Sequence, residues 1–345
     1  MRRLRVALET QFALGTPTGL GVYAARLAAA LAAREDVDLV ELRDPSFDVW
    51  RFDRRLFWDQ VRAPALAARA RADVVHFTGG TLPAATTHPC VLSVHDLAWL
   101  DDAVGGRAHS RLYFGALQGW LARRADLIAA TTEVVRQHIV QKLHVPASRV
   151  AVCGCGVDSS WFEVQHRPVA PPYLLCVGTV EERKDLITIV QALPAIPALR
   201  LISAGPHTGY ATLVRRAATA AGVLDRVELR GFVDAAALRS LYAGATALVF
   251  PSRYEGFGLP PLQALAAGVP VISSDLPVLR EVLGDCALFA RPGDSESFAD
   301  LVGLVAAGDP RAAGLAPRGK ERARRLTWDI VAQRMVELYR SLVRA

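Results

Sequence analysis

The 345-residue chain carries 40 lysine and arginine residues against 34 aspartate and glutamate, a formal net charge of +6, and 52% of its residues are apolar. That is length enough for two domains that each bury a core, and the positive balance, nearly all arginine with only Lys142, Lys184 and Lys320 as lysines, lacks the dense basic stripe of a nucleic-acid binder. No stretch approaches the ~20 apolar residues of a membrane span, and five cysteines without a CxxC pair point to a reducing, cytoplasmic setting.

Met1-Arg2-Arg3-Leu4-Arg5 looks like the start of a signal peptide, but Glu9 cuts the apolar segment short and the segment reads as a first strand. Thr18-Gly19-Leu20-Gly21 follows as a glycine-rich loop opening a helix over residues 22–33; lacking the full GxGxxG, it is equally an ordinary tight turn. Asp36-Val37-Asp38 has the DxD spacing of a metal–nucleotide motif, yet it stands between that helix and a strand over 39–42 and reads as a structural turn. Residues 49–59 hold Trp50, Phe52, Phe57 and Trp58, most of them expected to pack under neighbouring helices. Val74-Val75-His76-Phe77 and Val91-Leu92-Ser93-Val94 are apolar runs of strand length. His95-Asp96 ends the second run, with His95 either a core histidine bonded to backbone or a group presented to a ligand.

Residues 158–172 include Pro168, Pro171 and Pro172 and are neither helical nor strand-like, which makes them the linker. The expected division is a Rossmann-like domain over 1–165, a second over 166–325, and a C-terminal helix over 326–345 that packs back on the first. Strands alternating with alanine-rich helices make the chain α/β, and two doubly wound domains facing across a cleft would bring the carboxyl ends of both sheets to it. In the second half, Tyr173-Leu174-Leu175-Cys176-Val177 leads into Gly178-Thr179 and then Arg183-Lys184. In a chain so poor in lysine, that pair suggests charge placed for a diphosphate; the plainer reading is a surface helix cap with Asp185. The buried-strand run 245–250 is stopped by Pro251, and Glu255-Gly256-Phe257-Gly258 then opens a helix over 259–267 whose first turn tolerates Pro260 and Pro261. Free amides at that start would face a phosphate. Residues 318–325 read as a solvated helix face able to touch an anionic membrane surface. Residues 328–343 read as an amphipathic helix, with Ile330, Val331, Met335, Leu338, Tyr339 and Leu342 near helical spacing.

Together these residues resemble family 4 of the retaining glycosyltransferases, enzymes with the two-domain GT-B fold. The resemblance is carried by Gly19-Leu20-Gly21, His95-Asp96, Arg149-Val150-Ala151-Val152 running into Gly156-Val157-Asp158, Val177-Gly178-Thr179 with Arg183-Lys184-Asp185, Gly231-Phe232-Val233 and, above all, residues 251–292. Within the family the pattern is most like mannosyltransferases and related enzymes of cell-surface polysaccharide synthesis. It implies that a hexose of mannose or glucose type passes, with retention, from a GDP- or UDP-linked sugar to a hydroxyl of a glycan, glycolipid or small-molecule acceptor. No metal or other cofactor is implied. Glu255 would contact the donor sugar, the amides of Gly256, Phe257, Gly258 and Leu259 the sugar and diphosphate, with Gly178 and Thr179 beside them. Arg183 and Lys184 would neutralise the leaving diphosphate, His95 would lie by the transferred sugar, and Gly19, Leu20 and Gly21 would close over that group. Phe232 and Val233 would border the nucleobase. Acceptor contacts would come from residues 49–59 and 99–113, with peripheral contact at the inner membrane surface.

One departure matters: the family's second glutamate, which binds the nucleotide ribose, is Gln263 here. An amide has one acceptor oxygen where a carboxylate has two, a cost on the order of 1 kcal/mol. Gly154-Cys155 and Thr18 are smaller departures. A nicotinamide-dependent oxidoreductase would want a third glycine after Gly21, and a two-carboxylate hydrolase finds Gln263 where a partner for Glu255 would stand. The remaining alternative is a catalytically silent sugar-nucleotide-binding subunit, suggested by Gln263.

Overall fold

The computed structural model describes residues 2–15, 18–100, 113 and 117–344. Among them, twelve strands form two six-stranded parallel sheets. The first comprises β1 (Leu4–Glu9), β2 (Val37–Leu42), β3 (Val74–Phe77), β4 (Cys90–Val94), β5 (Leu127–Ala130) and β6 (Val150–Val152), in the order β2-β1-β3-β4-β5-β6. The second comprises β7 (Tyr173–Val177), β8 (Arg200–Ala204), β9 (Val227–Leu229), β10 (Ala247–Phe250), β11 (Val271–Ser274) and β12 (Leu288–Ala290), in the order β12-β11-β10-β7-β8-β9. The central strands are apolar runs buried along their whole length, as a sheet covered by helices on both faces requires. Strand order reverses between β1 and β3 in the first sheet and between β7 and β10 in the second. Open α/β sheets bind ligands at such a reversal, outside the carboxyl ends of the strands.

The chain forms two compact units, one running to Gly156 and including the final helix Trp328–Arg344, the other spanning Val157–Thr327. The segments entering and leaving the second unit are tied together: the Val157 amide donates to the Leu326 carbonyl at 2.9 Å, and Val157 bridges Thr327. Each unit has its own core, with Ala7, Phe77, Leu92 and Ile128 central to the first and Leu174, Leu201, Val249 and Ile272 to the second.

One local reading needs correction. The first helix is Gly19–Ala32 and not 22–33, because Thr18 caps it: extended at φ −105°, ψ 170°, its hydroxyl accepts from the Gly21 amide at 3.2 Å. Gly19-Leu20-Gly21 is therefore the first helical turn and not a loop. Gly21 must lack a side chain, since a Cβ there would stand 2.2 Å from the Phe12 carbonyl oxygen. The last helix is amphipathic as expected: Trp328, Val331, Ala332, Met335, Val336 and Tyr339 form its buried face, with Ile330, Leu338 and Leu342 half-buried at its margin. The basic run is a solvated face as expected, with Arg318, Arg324 and Arg325 exposed beside Asp285 and Glu321; of its arginines Arg322 alone is half-buried, donating to the Val282 and Glu281 carbonyls.

Candidate functional site

At the second reversal, the turn after β7 and the turn after β10 are locked to each other. The Arg253 amide donates to the Arg183 carbonyl at 2.8 Å. Asp185, buried and in the left-handed region at φ 46°, accepts from Arg253 Nε and from the Thr188 hydroxyl, both at 2.7 Å. This bracing sets three charged side chains together. Lys184 Nζ lies 2.5 Å from Glu255 Oε1, and Arg183 Nη1 lies 3.6 Å from Glu255 Oε2 and 3.3 Å from the Tyr254 carbonyl. Lys184 also sits 4.8 Å over the ring of Phe250, the last residue of β10. The Glu255 side chain is only 8% exposed. Burial would raise its pKa, but the charges of Lys184 and Arg183 and the Lys184 hydrogen bond outweigh burial and hold it below the ordinary value. Arg183 also pairs with Glu181, its Nε 2.8 Å from Oε1, so the resting cluster balances two cations against two carboxylates, and an arriving anion would compete with Glu181 and Glu255 for them.

Backbone completes this side of the site. Gly178 and Gly205 end β7 and β8 so close together that a Cβ on Gly205 would fall 2.1 Å from the Gly178 oxygen. The Gly205 amide in turn donates to the Gly231 carbonyl at 2.8 Å, just before Phe232. Phe232 is 55% exposed and Val233 half-buried. The helix Leu259–Ala267 has the expected bounds, but Pro260 and Pro261 carry no N–H. Its donors toward an anion are thus limited to Leu259 and the residues before it. Gln263 is half-buried, its Oε1 at 3.4 Å from the Tyr242 hydroxyl, which also lies 3.1 Å from the Pro260 carbonyl.

At the first reversal, a carboxylate whose bracing role the sequence reading missed organises the strand ends. Glu9 closes β1 at 1% exposure. Its Oε1 accepts from Trp58 Nε1 at 2.7 Å, and its Oε2 from the Thr78 and Gly79 amides, both at 3.0 Å. Burial and then the Asp59 charge push Glu9 up to about 7, against the Arg55 charge and the hydrogen bonds. Arg55 pairs with Asp59 at 2.8 Å, reaches the Gly79 carbonyl and the Thr81 hydroxyl, and stacks on Phe12. His95 is half-buried: its Nε2 meets the Thr78 carbonyl at 2.9 Å, its own carbonyl accepts from Thr131, and Tyr23 packs edge-on at 4.5 Å. Burial lowers its pKa against the pull of the Thr78 hydrogen bond. Behind it runs a buried polar chain, Tyr23 to Ser93 to His76 to Tyr339, that docks the last helix; burial holds His76 neutral, with a pKa of about 3.

The model for Glycosyltransferase Family 4 matches residues 17–161, and that for Glycosyl transferases group 1 matches residues 171–306. The chain belongs to glycosyltransferase family 4. Among curated relatives of this family-4 chain, the O-antigen chain mannosyltransferase B of Escherichia coli is 28% identical over 63% of the chain and 61% of its own length. The O-antigen chain mannosyltransferase RfbU of Salmonella typhimurium is 30% identical over 56% and 54%. The chain thus spans little more than half the length of these relatives. Solved structures share its GT-B fold. Sucrose-phosphate synthase from Thermosynechococcus elongatus superposes with a TM-score of 0.78 at 22% identity over 99% of both chains. WaaG, a glycosyltransferase involved in lipopolysaccharide biosynthesis, gives 0.76 at 15% identity over 97% of this chain and 99% of its own.

In the family-4 chain, Arg183, Lys184 and Glu255 come together, with Gly178, Thr179, Gly256, Phe257, Gly258 and Leu259 on the same strand ends of the second unit. His95 and Gly19-Leu20-Gly21 belong to the first unit, where Tyr23, one turn into the first helix, touches the His95 ring. Asp36 and Asp38 are taken up by Arg34, Arg340 and Arg5. Among the described residues, no group of three or more His, Cys, Asp or Glu is placed to hold a metal. Of the aromatics in 49–59, Trp58 is fully buried while Trp50 and Phe57 are about half exposed. In the other candidate acceptor segment, residues 101–112 lie outside the described residues. Glu9, Asp185 and Thr18 were each seen in the sequence but not for what they do, bracing β1 to β3, bracing the turn at Arg253, and capping the first helix; the signal they share is a polar side chain immediately beside a strand end or helix start.

Proposed function

We propose that the chain is a retaining glycosyltransferase that moves a hexose of mannose or glucose type from a GDP- or UDP-linked sugar to a hydroxyl of a glycan, lipid-linked or small-molecule acceptor. The observation that carries this reading is the Arg183–Lys184–Glu255 cluster at the reversal between β7 and β10. The barrier to transfer is charge separation: positive character grows at the anomeric carbon while negative charge collects on the departing diphosphate. Lys184 turns from Glu255, and Arg183 from Glu181, to that diphosphate, assisted by amides up to Leu259, so the protein's own cations carry the charge without a metal. Glu255, released from one cation, accepts sugar hydroxyls and orients the ring. Gln263 meets the ribose, and Phe232 and Val233 the base. His95 and the helix start at Gly19-Leu20-Gly21 are assigned to the transferred sugar. No enzyme nucleophile is invoked; same-face attack with the diphosphate oxygen taking the acceptor proton accounts for retention. A cytoplasmic setting with peripheral membrane contact belongs to the same proposal.

Support for the donor class comes from the fold neighbour Anabaena HepE, solved in complex with UDP-glucose, and for the acceptor class from the O-antigen relatives. A second reading, a sugar-nucleotide-binding subunit without turnover, is favoured by Gln263, whose single acceptor oxygen already stands within reach of Tyr242. Incubation with a panel of GDP- and UDP-sugars and acceptors, followed by nucleotide release and product mass, tests both. Donor-dependent release that is lost in Lys184→Ala and Glu255→Ala is the expected result. Binding without release would select the second reading, and unchanged rates in both variants would remove the site.

A further inference from the structure

Glu9 has no task in that scheme, yet burying a carboxyl is costly unless its lone pairs are satisfied. All its partners here are N–H donors: the Trp58 indole on one oxygen, and the successive Thr78 and Gly79 amides on the other. Thr78 returns a bond of its own, its hydroxyl donating to the Glu9 carbonyl at 2.7 Å. The turn after β3 is therefore fastened to the end of β1 across the reversal of the sheet. With amide and hydroxyl committed to Glu9, Thr78 has its carbonyl left, and that carbonyl is what His95 Nε2 meets at 2.9 Å. A carbonyl only accepts, so the imidazole must carry its proton on Nε2, leaving Nδ1 as the lone-pair nitrogen. The Thr131 hydroxyl steadies the His95 backbone from the other side.

We infer that Glu9 is the positioning residue for His95: by holding the Thr78 peptide it fixes the imidazole as the Nε2–H tautomer, so that Nδ1 is the nitrogen able to accept from a substrate hydroxyl. The assignment of that hydroxyl to a transferred sugar rests on the proposed function; the tautomer does not. Glu9→Gln keeps the shape but has one acceptor oxygen, so its NH2 must confront either the Trp58 N–H or the two amides.

The test uses the full chain at pH 8, with the His95 ring nitrogens followed by long-range 1H–15N NMR and assigned against His95→Asn. The unsubstituted protein is expected to show the Nε2–H form; finding Nδ1–H there overturns the inference even if the variant does not fold. In Glu9→Gln the Nδ1–H form should appear, and sugar transfer should fall about tenfold in kcat, the scale of one hydrogen bond. UDP or GDP affinity, set in the second unit, should stay within about twofold, as for independent distant sites. A folded variant that keeps the Nε2–H form, or one that loses nucleotide affinity and melting temperature while keeping it, sinks the positioning role. If no donor is turned over by the unsubstituted protein, the functional reading fails, and the tautomer measurement still decides the role of Glu9.

Discussion

Glu9 and Glu255 do comparable geometric work in the two units and are held in opposite ways. Each reaches across the reversal point of its sheet, Glu9 from the end of β1 to the turn after β3, Glu255 from the turn after β10 to the turn after β7. Glu255 is bound by cations, and its pKa lies below the ordinary value; Glu9 is bound by neutral N–H groups beside Asp59, and its pKa rises to about 7. Cations on long side chains can leave their partner for a better anion, whereas backbone amides cannot leave without unmaking a turn. The first arrangement suits a site that must exchange partners during a reaction, the second a scaffold that must not.

The comparison breaks most visibly at Lys184. Lys184→Met strands Glu255 with Arg183 alone, and turnover is expected to fall about 10²–10³-fold, as when one preorganised charge is removed from a developing anion. Stability should drop by about 3 kcal/mol in denaturant titrations, the scale of a buried pair that loses one member. Adding Glu255→Gln to that variant should restore much of the stability and none of the turnover; a double variant as unstable as the single one would mean that the pair is not coupled.

The two carboxyls can also be told apart by pH. Glu9 has a folded pKa of about 7 against an ordinary 4.5, so between those values the folded chain keeps a proton that the unfolded chain has released, and stability from this group falls as pH rises through the window. His76, at about 3 against 6.5, works the other way: below pH 6.5 the unfolded chain takes up a proton that the folded chain refuses, and stability falls with acid. Each slope approaches about 1.4 kcal/mol per pH unit, and between 4.5 and 6.5 they oppose. The stability deficit of His76→Asn should therefore shrink on acidification from pH 6.5, while that of Glu9→Gln should widen; equal pH profiles in both variants would contradict these assignments. The smallest expected effect is at Gln263, where Gln263→Glu should tighten nucleotide binding about tenfold, the scale of one hydrogen bond, as read by calorimetry.

Much of the fold was legible because its signals are local. β3 and β7 have the expected bounds, and Pro251 and the glycines around Phe257 mark the end of β10 and the start of the helix Leu259–Ala267. The cluster at Lys184 was legible for another reason, the rarity of lysine in an arginine-rich chain. What escaped depends on partners far along the chain. Glu9 meets Trp58 at a separation of 49 residues and Thr78 at 69, so at the end of LRVALE it looked like the polar stop of a strand. Within the solvated run 318–325, the one arginine whose tie was not legible is Arg322, because the Glu281 and Val282 carbonyls that receive it lie at the end of another helix. Thr18 was misread because a cap and a loop residue look alike until the backbone angles are known.

The bridge between Val157 and Thr327 has an engineering consequence. Since the chain leaves the first unit and rejoins it at neighbouring points, residues 157–327 are a cassette: they can be excised as one stretch and the gap sealed by a short splice from Gly156 to Trp328, retaining the Tyr339 anchor on His76. A plain truncation after Gly156 would instead strip that anchor and expose the polar chain behind it.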